Sequence, residues 1–456
     1  MRRVAFQLML PKVGIAWMFA LLTINYNRVT IFDLGITALL VTLLLGIYPL
    51  FAPMQPLIGR WIDRRPLFGY RRSPYLVLGM LGSGLLFLLL PWIAIELHNG
   101  NPLAILLGIV VMAAFGFGIA LIANTYLDLV AETTDEGSRG LVFAVAWTAQ
   151  TGAILLWAYV FQQQMPFYSL ALMQNLYNLT PLVCLVTTVI GVWGLEKRLD
   201  ADAISQLRAA PIRAEVAGNP LDALRILQEN VAARRFFAFV FLTITGIFLQ
   251  DAVLEVYGAS VLGMSLATTS TFQQVWNGTV LIAMLITNPL IAIISRKAKP
   301  VDDELPAYKR WIASIGAAIA TLGLGMLAQA ALRAESRSLY VALTLMGIGT
   351  GIFTAVSVTL MSDMTIEGAT GRYLGLWSMA QAFATSFAFV ASGALHTALI
   401  ESGWLAPGQG FALIFALEGL AMLLCLLVLQ TVSVARFRGA ARQEMVRLVQ
   451  LNRQMP

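Results

Sequence analysis

Charged side chains are scarce in this chain. Asp, Glu, Lys and Arg make up 12% of its 456 residues, whereas soluble domains average about 25%. The sequence has only two cysteines, Cys184 and Cys425, and two histidines, His98 and His396. These numbers argue against a disulfide framework and a Cys/His metal cluster. No nucleophile triad, phosphate-binding loop or dinucleotide-binding glycine pattern is present, so we expect neither an enzyme nor a metal site.

Apolar residues take the place of the missing charges, with 59% hydrophobic content and a mean hydropathy of +0.78. Runs of about 20 apolar residues, each long enough to cross about 30 Å of hydrocarbon, follow one another along the chain. In lipid, the backbone N–H and C=O groups of a span must form hydrogen bonds within the protein, because no water is present. These runs therefore predict helices and an all-α integral membrane protein. The twelve predicted spans are 13–30, 36–58, 74–96, 102–125, 139–161, 172–194, 236–262, 270–294, 309–331, 338–361, 372–399 and 410–433.

The basic residues predict the orientation of these spans. If the N-terminus is cytoplasmic, 27 of the 30 Lys and Arg residues fall on the cytoplasmic side, and only Arg28, Arg333 and Arg337 do not. This bias predicts that both termini are cytoplasmic. It also accounts for the net charge of +6, which therefore gives no indication of a nucleic-acid partner. Residues 1–12 are expected to form a separate helix at the cytoplasmic surface.

An internal repeat divides the chain. Residues around 116–150 recur around 347–381 at an offset of 231 (347 − 116 = 231). The matching pairs are Gly116/Gly347, Gly118/Gly349, Glu132/Asp363, Thr134/Thr365, Glu136/Glu367, Gly137/Gly368, Gly140/Gly371, Ala149/Ala380 and Gln150/Gln381. Such a repeat is typical of alternating-access transporters built from two homologous halves. It predicts six-helix bundles over 1–195 and 236–433, a cytoplasmic linker over 196–235, and a basic cytoplasmic tail over 434–456.

The loop after the second span carries a Gly/Asp/Arg pattern: Gly59, Asp63, Arg64, Arg71 and Arg72. This pattern resembles the signature between helices two and three of the major facilitator superfamily. The resemblance implies two pseudo-symmetric bundles that rock about a site at their interface, with this loop acting in gating. Gly59 is expected to allow close helix approach, and Asp63 to bind a helix N-terminus or an arginine.

A narrower resemblance covers nearly the whole chain. The segments 27–35 and 57–75 carry it together with the seventh span, which reads Gln250-Asp251-Ala252-Val253-Leu254-Glu255-Val256-Tyr257-Gly258. These segments are similar to the PucC/LhaA, or bacteriochlorophyll delivery, family, although Val256 stands where the family pattern leads us to expect Pro. The resemblance implies delivery of (bacterio)chlorophyll or a precursor, which would be bound as cargo, to antenna or reaction-centre polypeptides. It also implies a bacterial inner or intracytoplasmic photosynthetic membrane, with membrane lipids as further partners.

Two other functions remain open at this point. The chain would be a facilitator-type carrier of another small amphiphilic solute if pigment is not its cargo. It would be a non-transporting scaffold if it keeps the fold and binds antenna polypeptides laterally. Solute flux in vesicles would favour the first, and stable co-purification with antenna polypeptides would favour the second.

Ionisable groups within the spans are the first candidate site. Arg28, beside Asn27, ends the first span, and Asp251 and Glu255, beside Gln250, lie on one face of the seventh span. Such groups usually face a cavity or a partner, because charge in lipid is costly. We expect Arg28 to pair with Glu255 or Asp251 and to close the outer side of a central cavity. The alternative is that all three reach the membrane surface and anchor the helices.

Further candidates lie nearer the cytoplasmic side. Four acids flank the repeat-related helices and either complement the helix dipoles or pair with Arg64 or Arg72; they are Glu132, Glu136, Asp363 and Glu367. Four residues either line the cavity or form interhelical hydrogen bonds; they are Trp147, Gln150, Trp377 and Gln381.

Three single residues complete the candidates. Glu418 is an isolated acid within the last span, and it is either linked to a proton or simply paired. His98 and His396 are expected near the outer face, where an exposed interfacial histidine is favoured. An axial ligand to pigment magnesium is the alternative for His396.

Overall fold

The computed structural model describes residues 2–200, 230–297, 307–364 and 370–434, together with positions 202, 204, 205, 207, 227, 228, 436, 437 and 439. Within these residues eleven helices are long and apolar enough to cross a membrane. The remaining predicted span, 139–161, lies in the 29-residue helix Glu136–Gln164, several of whose side chains are outside the described set.

The first half contains six long helices, several of them interrupted. α1 runs over Arg2–Ala20 and continues as π-helical turns to Asp33, and α2 runs over Ala38–Asp63 with a 3-10 segment at Tyr48–Met54. The others are α3 (Ser73–His98), α4 (Pro102–Thr133), α5 (Glu136–Gln164) and α6 (Leu170–Val192).

The second half has the same plan. Its helices are α7 (Val231–Ser260), α8 (Leu266–Lys297), α9 (Ala307–Arg333), α10 (Ser336–Asp363), α11 (Thr370–His396, with a π-helical end at Thr397–Glu401) and α12 (Pro407–Thr431). We call the end that carries Arg2 and Thr431 the inner end, and the opposite end the outer end.

The repeat-related glycines of α4 and α10 make equivalent close contacts. A Cβ on Gly116 would lie 2.6 Å from the carbonyl oxygen of Tyr48 in α2, and one on Gly347 would lie 2.6 Å from that of Trp276 in α8. Gly118 and Gly349 pack likewise against α3 and α9. Helices two and three thus correspond to helices eight and nine, as homologous halves require.

The two halves meet along two helix pairs, α5 with α8 and α2 with α11. Polar contacts join them at the outer end, where the Ala267 amide donates to the Pro166 carbonyl at 3.2 Å and Gln274 donates to Gln162 at 3.2 Å. Nearer the middle, Ser386 donates to the Gly46 carbonyl at 2.6 Å.

The structure corrects two expected boundaries. Residues 2–12 do not form a separate surface helix, because α1 is continuous from Arg2 to Ala20 through Pro11. Gly191 of α6 leaves room for that proline, since a Cβ there would lie 2.6 Å from its Cδ. The first helix of the second half begins at Val231 rather than 236. Most of the linker, 208–226, and nearly all of the tail, 440–456, lie outside the described residues.

Candidate functional site

The seventh helix breaks at its predicted polar segment. Its α-helix ends at Phe248, a 3-10 turn covers Leu249–Ala252, and an α-helix resumes at Leu254. The break lies at Gln250 and Asp251 although the expected Pro is replaced by Val256. It turns Gln250, Asp251 and Glu255 into the protein, where they are 0%, 7% and 1% exposed.

One glutamine of α8 joins the two carboxyl groups. Gln273 Nε2 donates to Asp251 Oδ1 at 3.3 Å and to Glu255 Oε1 at 3.0 Å. Asn277, one turn further along α8, donates to Gln273 Oε1 at 2.8 Å and fixes the orientation of that amide. Gln273 and Asn277 were not predicted from the sequence, although two amides at i and i+4 within an apolar span were a usable signal.

A third acid, Glu418 of α12, completes what we call the acid cluster: Asp251, Glu255, Gln273 and Glu418. Glu418 is fully buried, and its Oε1 accepts the backbone N–H of Gln250 at 3.3 Å. Within the described residues, none of the three acids forms an ion pair. Buried acids without a base are costly to keep charged, and such groups in membrane proteins usually serve function.

Several buried polar atoms on the helices that carry the acid cluster have no hydrogen-bond partner among the described residues. They include Oε2 of Glu255 and of Glu418, both side-chain polar atoms of Gln250, the hydroxyl of Tyr257 and the indole N–H of Trp276. Each unsatisfied buried group costs about 1–3 kcal/mol. The cluster therefore offers donors and acceptors for a polar group of a bound molecule.

The predicted pair between Arg28 and Glu255 or Asp251 is wrong in this structure. Arg28 instead pairs with Asp33, five residues along its own chain, while its NH2 lies 3.4 Å from the Met264 carbonyl of the second half. Local geometry explains the difference, because the π-helical turns of Val29–Asp33 bring the Asp33 carboxylate back to Arg28. The alternative of membrane-surface anchoring also fails, since the Arg28 side chain is 4% exposed.

Arg28 nevertheless lies at the interface between the halves. The π-helical turns on either side of it contact α7 and α8. Asn27 beside it is fully buried, and neither atom of its amide has a partner among the described residues. Polar groups of both halves thus lie near their interface, where the charges of Arg28 and Glu255 interact although the two side chains form no ion pair.

The inner loop after α2 forms a charge network around Arg72. Arg72 lies 2.5 Å from Asp63, 2.9 Å from Asp128 and 3.1 Å from Glu132, and Arg71 lies 3.1 Å from Asp63. Burial lowers the pKa of the Arg72 guanidinium, but the charges of Asp128, Asp63 and Glu132 outweigh it, so this pKa lies above its usual value. The network joins α2, α3 and α4 within the first half.

Two residues of this network were missed by the sequence analysis. Asp128 lies one turn before Glu132 on α4 and was a visible candidate. Glu196 comes from the predicted linker and accepts the backbone N–H groups of Arg71, Arg72 (3.0 Å) and Ser73 (2.7 Å), so it caps the N-terminus of α3. Nothing in its sequence context indicated that cap.

The structure also tests the predictions for Gly59 and for one of the four helix-end acids, Glu132. Gly59 allows close helix approach as expected, since a Cβ there would lie 2.9 Å from the side chain of Asn124 in α4. Glu132 pairs with arginine rather than only complementing a helix dipole. The side chains of Glu136 and Asp363, and all of Glu367, lie outside the described residues.

The tryptophans of the two repeat-related helices, Trp147 and Trp377, have different environments. Trp147 is 58% exposed, whereas Trp377 is fully buried, donates to the Met364 carbonyl at 3.1 Å and packs edge-on against Phe236. Trp377 thus joins α11 to the end of α10, the interhelical hydrogen bond that was one of its two predicted roles. Gln150 is half-buried and its Oε1 has no partner, and Gln381 is half-buried with a partner.

The histidines lie at the outer end, but only one is exposed. His98 is exposed, and its Nδ1 lies 2.6 Å from the Leu34 carbonyl. His396 is 6% exposed, against the expectation of an exposed residue, and its Nδ1 lies 3.2 Å from Glu401 Oε1. Among the described residues no group of three His, Cys, Asp or Glu side chains is placed to hold a metal ion.

The profile of the family described as PUCC protein matches residues 25–437, nearly the whole chain. The chain belongs to this family. It is 26% identical over 445 residues, 96% of each chain, to a Rhodobacter capsulatus protein named bacteriochlorophyll synthase 44.5 kDa chain. It is also 24% identical over 449 residues to Protein PucC of Cereibacter sphaeroides, covering 94% of this chain and 93% of that one.

The fold of this PUCC protein is that of the major facilitator superfamily. The crystal structure of the D-xylose–proton symporter superposes with a TM-score of 0.67 at 14% sequence identity, over 93% of this chain and 96% of that one. The crystal structure of a mutant of the nucleoside transporter NupG gives a TM-score of 0.65 at 12% identity, over 94% of this chain and 99% of that one. These likenesses confirm the predicted fold class and a multi-pass membrane protein with a transporter fold.

Proposed function

We propose that this protein is a membrane carrier that delivers bacteriochlorophyll, chlorophyll or a tetrapyrrole precursor to light-harvesting or photosystem polypeptides. The observation that carries the proposal is membership of the PUCC family over nearly the whole chain, on a transporter fold. Two relatives bear names that refer to bacteriochlorophyll synthesis or to PucC. We place the protein in the inner or intracytoplasmic membrane of a phototrophic bacterium, with both termini in the cytoplasm.

The acid cluster supports a carrier rather than an enzyme. Its carboxyl and amide groups come from α7, α8 and α12 of one half, and the charge of Arg28 in the other half acts on Glu255 across the interface. Rocking of the halves would expose these groups alternately to the two sides. One relative has the word synthase in its name. The acid cluster, however, contains no nucleophile paired with a base, such as a Ser–His arrangement, that would indicate covalent catalysis.

A pigment-transfer assay tests the proposal. Proteoliposomes holding the purified protein and bacteriochlorophyll are mixed with antenna polypeptides free of pigment, and assembly is followed by the red shift of the pigment band. We expect the wild-type protein to accelerate transfer at least tenfold over protein-free liposomes. Asp251→Asn and Glu255→Gln should remove most of this acceleration. Glu335→Gln should not, because Glu335 is an exposed acid at the outer end whose carboxylate accepts a hydrogen bond from the neighbouring Ser338.

The same assay separates the other two functions. Transfer at the liposome rate, with antenna polypeptides retained on the protein, would overturn carriage and favour a scaffold. Neither transfer nor retained polypeptides would overturn both pigment functions and leave a carrier of another amphiphilic solute.

A further inference from the structure

One basic side chain inside α1 has aromatic partners in place of an acid. The Lys12 Nζ lies 4.8 Å from the centre of the Tyr126 ring in α4 and 4.7 Å from the Trp147 ring in α5. No ion pair between Lys12 and a carboxylate occurs among the described residues. Arg72 has three acids around it, whereas Lys12 has no carboxylate partner among the described residues.

The two rings have different roles. Tyr126 is 1% exposed and its hydroxyl donates to the Leu8 carbonyl at 2.9 Å, so this ring is part of the packed interior. Trp147 is 58% exposed, so most of its indole is free to contact another molecule. The side chain of Gln150, one turn along the same helix, carries an unpartnered Oε1. A cation, an open aromatic face and an amide therefore lie together.

The position of this group along α5 places it toward the inner end. Leu155 of α5 approaches Gly278 of α8 across the interface of the halves. Trp147 lies eight residues nearer the inner end (155 − 147 = 8), which is roughly 12 Å along a helix. Lys12 and Trp147 thus lie on the inner side of that contact, away from the acid cluster at the outer end.

The energetics favour an anionic partner for Lys12. A cation within a membrane span loses hydration, and each cation–π contact returns only about 0.5–2 kcal/mol. A carboxylate on Nζ would add a charge-assisted hydrogen bond. A planar conjugated ring attached to that carboxylate would at the same time cover the exposed Trp147 indole.

We infer that Lys12 and Trp147 bind the carboxylate and ring of an anionic conjugated amphiphile, which for a pigment carrier is a tetrapyrrole with a free propionate. This inference rests on the proposed function and narrows its cargo. Mature chlorophyll-type pigments carry that propionate as an ester of a long alcohol and have no charge to offer Lys12. The preferred cargo is therefore the acid that an esterification reaction later consumes.

A pair of ligands that differ only in charge tests the inference. The purified full-length protein is titrated with a magnesium chlorin that carries a free propionate and, separately, with its methyl ester, and binding is followed by chlorin absorption. We expect the acid to bind at least tenfold more tightly than the ester. Lys12→Gln should abolish this preference without weakening ester binding, whereas Lys12→Arg should retain it. Lys197→Gln is the matched control, because Lys197 is exposed at the inner end.

Each other outcome has a definite meaning. Equal binding of acid and ester by the wild-type protein, or a preference that survives Lys12→Gln, would overturn the Lys12 site and leave pigment carriage standing. Binding of neither chlorin would overturn the proposed function and this cargo together. Phosphatidylglycerol shares the anionic chemistry. Suppose that phosphatidylglycerol binds, that phosphatidylcholine does not, and that Lys12→Gln abolishes this binding. If the chlorin acid is then bound no more tightly than its ester, the Lys12 site binds a lipid headgroup and not a pigment.

Discussion

Glu401, at the end of α11, accepts the backbone N–H of Ala38, at the start of α2, with a donor–acceptor distance of 2.8 Å. A carboxylate from the second half thus caps a helix of the first half at the outer end. Beside it, the Leu39 amide donates to the Thr397 hydroxyl at 3.1 Å. These contacts must break whenever the outer end opens.

Glu401→Gln should therefore favour opening of the outer end. The amide keeps an oxygen acceptor but loses the charge that stabilises the helix N-terminus, a difference of about 0.3–1 kcal/mol. Spin labels at Leu103→Cys and Leu332→Cys, both exposed at the outer ends of α4 and α9, measure the separation by double electron–electron resonance. The native cysteines are buried and should not be labelled.

We expect the variant to populate longer distances between these labels than the wild-type protein does. Glu335→Gln, which removes an acid at the same end without touching α2, should leave the distribution unchanged. Identical distributions for all three proteins would show that the Glu401 cap does not hold the outer end closed.

Gly393 of α11 should not tolerate a methyl group. A Cβ there would lie 1.8 Å from Thr42 Oγ1 and 2.8 Å from the Ala38 carbonyl oxygen across the interface. Gly393→Ala is expected to cost about 1–3 kcal/mol of stability through overpacking. Gly375→Ala on the same helix, where a Cβ meets nothing within 4 Å, should be neutral or slightly stabilising. Thermal unfolding in detergent checks the pair, and equal melting temperatures would contradict the interface geometry.

Arg28 should be more strongly coupled to Asp33 than to Glu255. A double-mutant cycle with Arg28→Gln and Asp33→Asn is expected to give a coupling free energy of about 1–3 kcal/mol, because the bond joins two charged groups. Arg28→Gln combined with Glu255→Gln should give a smaller coupling free energy, because these side chains interact through their charges but form no ion pair. Unfolding by denaturant measures both cycles. Strong coupling only in the second cycle would restore the pair expected from the sequence.

Loss of Asp128 should weaken the inner loop as much as loss of the predicted Asp63. Each acid lies within 3 Å of Arg72, but both are partly exposed, so we expect each Asp→Asn change to cost about 0.5–2 kcal/mol. Asp202→Asn is the control, since Asp202 is exposed and its side chain has no ion pair among the described residues. A stability loss confined to Asp63→Asn would show that Asp128 is not part of the network.

The sequence predicted the fold well because lipid imposes simple rules. Apolar length fixed the spans, the spacing of Gly116 and Gly347 revealed two halves, and Gly59 with Asp63 indicated the inner loop. Contacts between residues that are far apart in the sequence were harder to predict. Gln273 and Glu418 lie near Asp251 because α8 and α12 pack beside the break in α7. The apolar pattern of each helix does not predict which helices become neighbours.

The predicted partner of Arg28 was wrong for a different reason. The pair with Glu255 followed from treating α1 as a regular helix aligned with α7. The π-helical turns after Leu21 shift the register and bring Asp33 within reach instead. Trp147 and Trp377 lie on repeat-related helices but are 230 residues apart (377 − 147 = 230), one fewer than the repeat offset. They therefore do not occupy equivalent positions, and Phe236 and Phe437 pack only against Trp377.

Pigment carriage is tested most directly by the absorption spectrum of the protein purified in mild detergent from its native membrane. We expect a chlorin band that survives extensive washing and weakens in Asp251→Asn or Glu255→Gln protein. A colourless protein from pigment-replete membranes would contradict it.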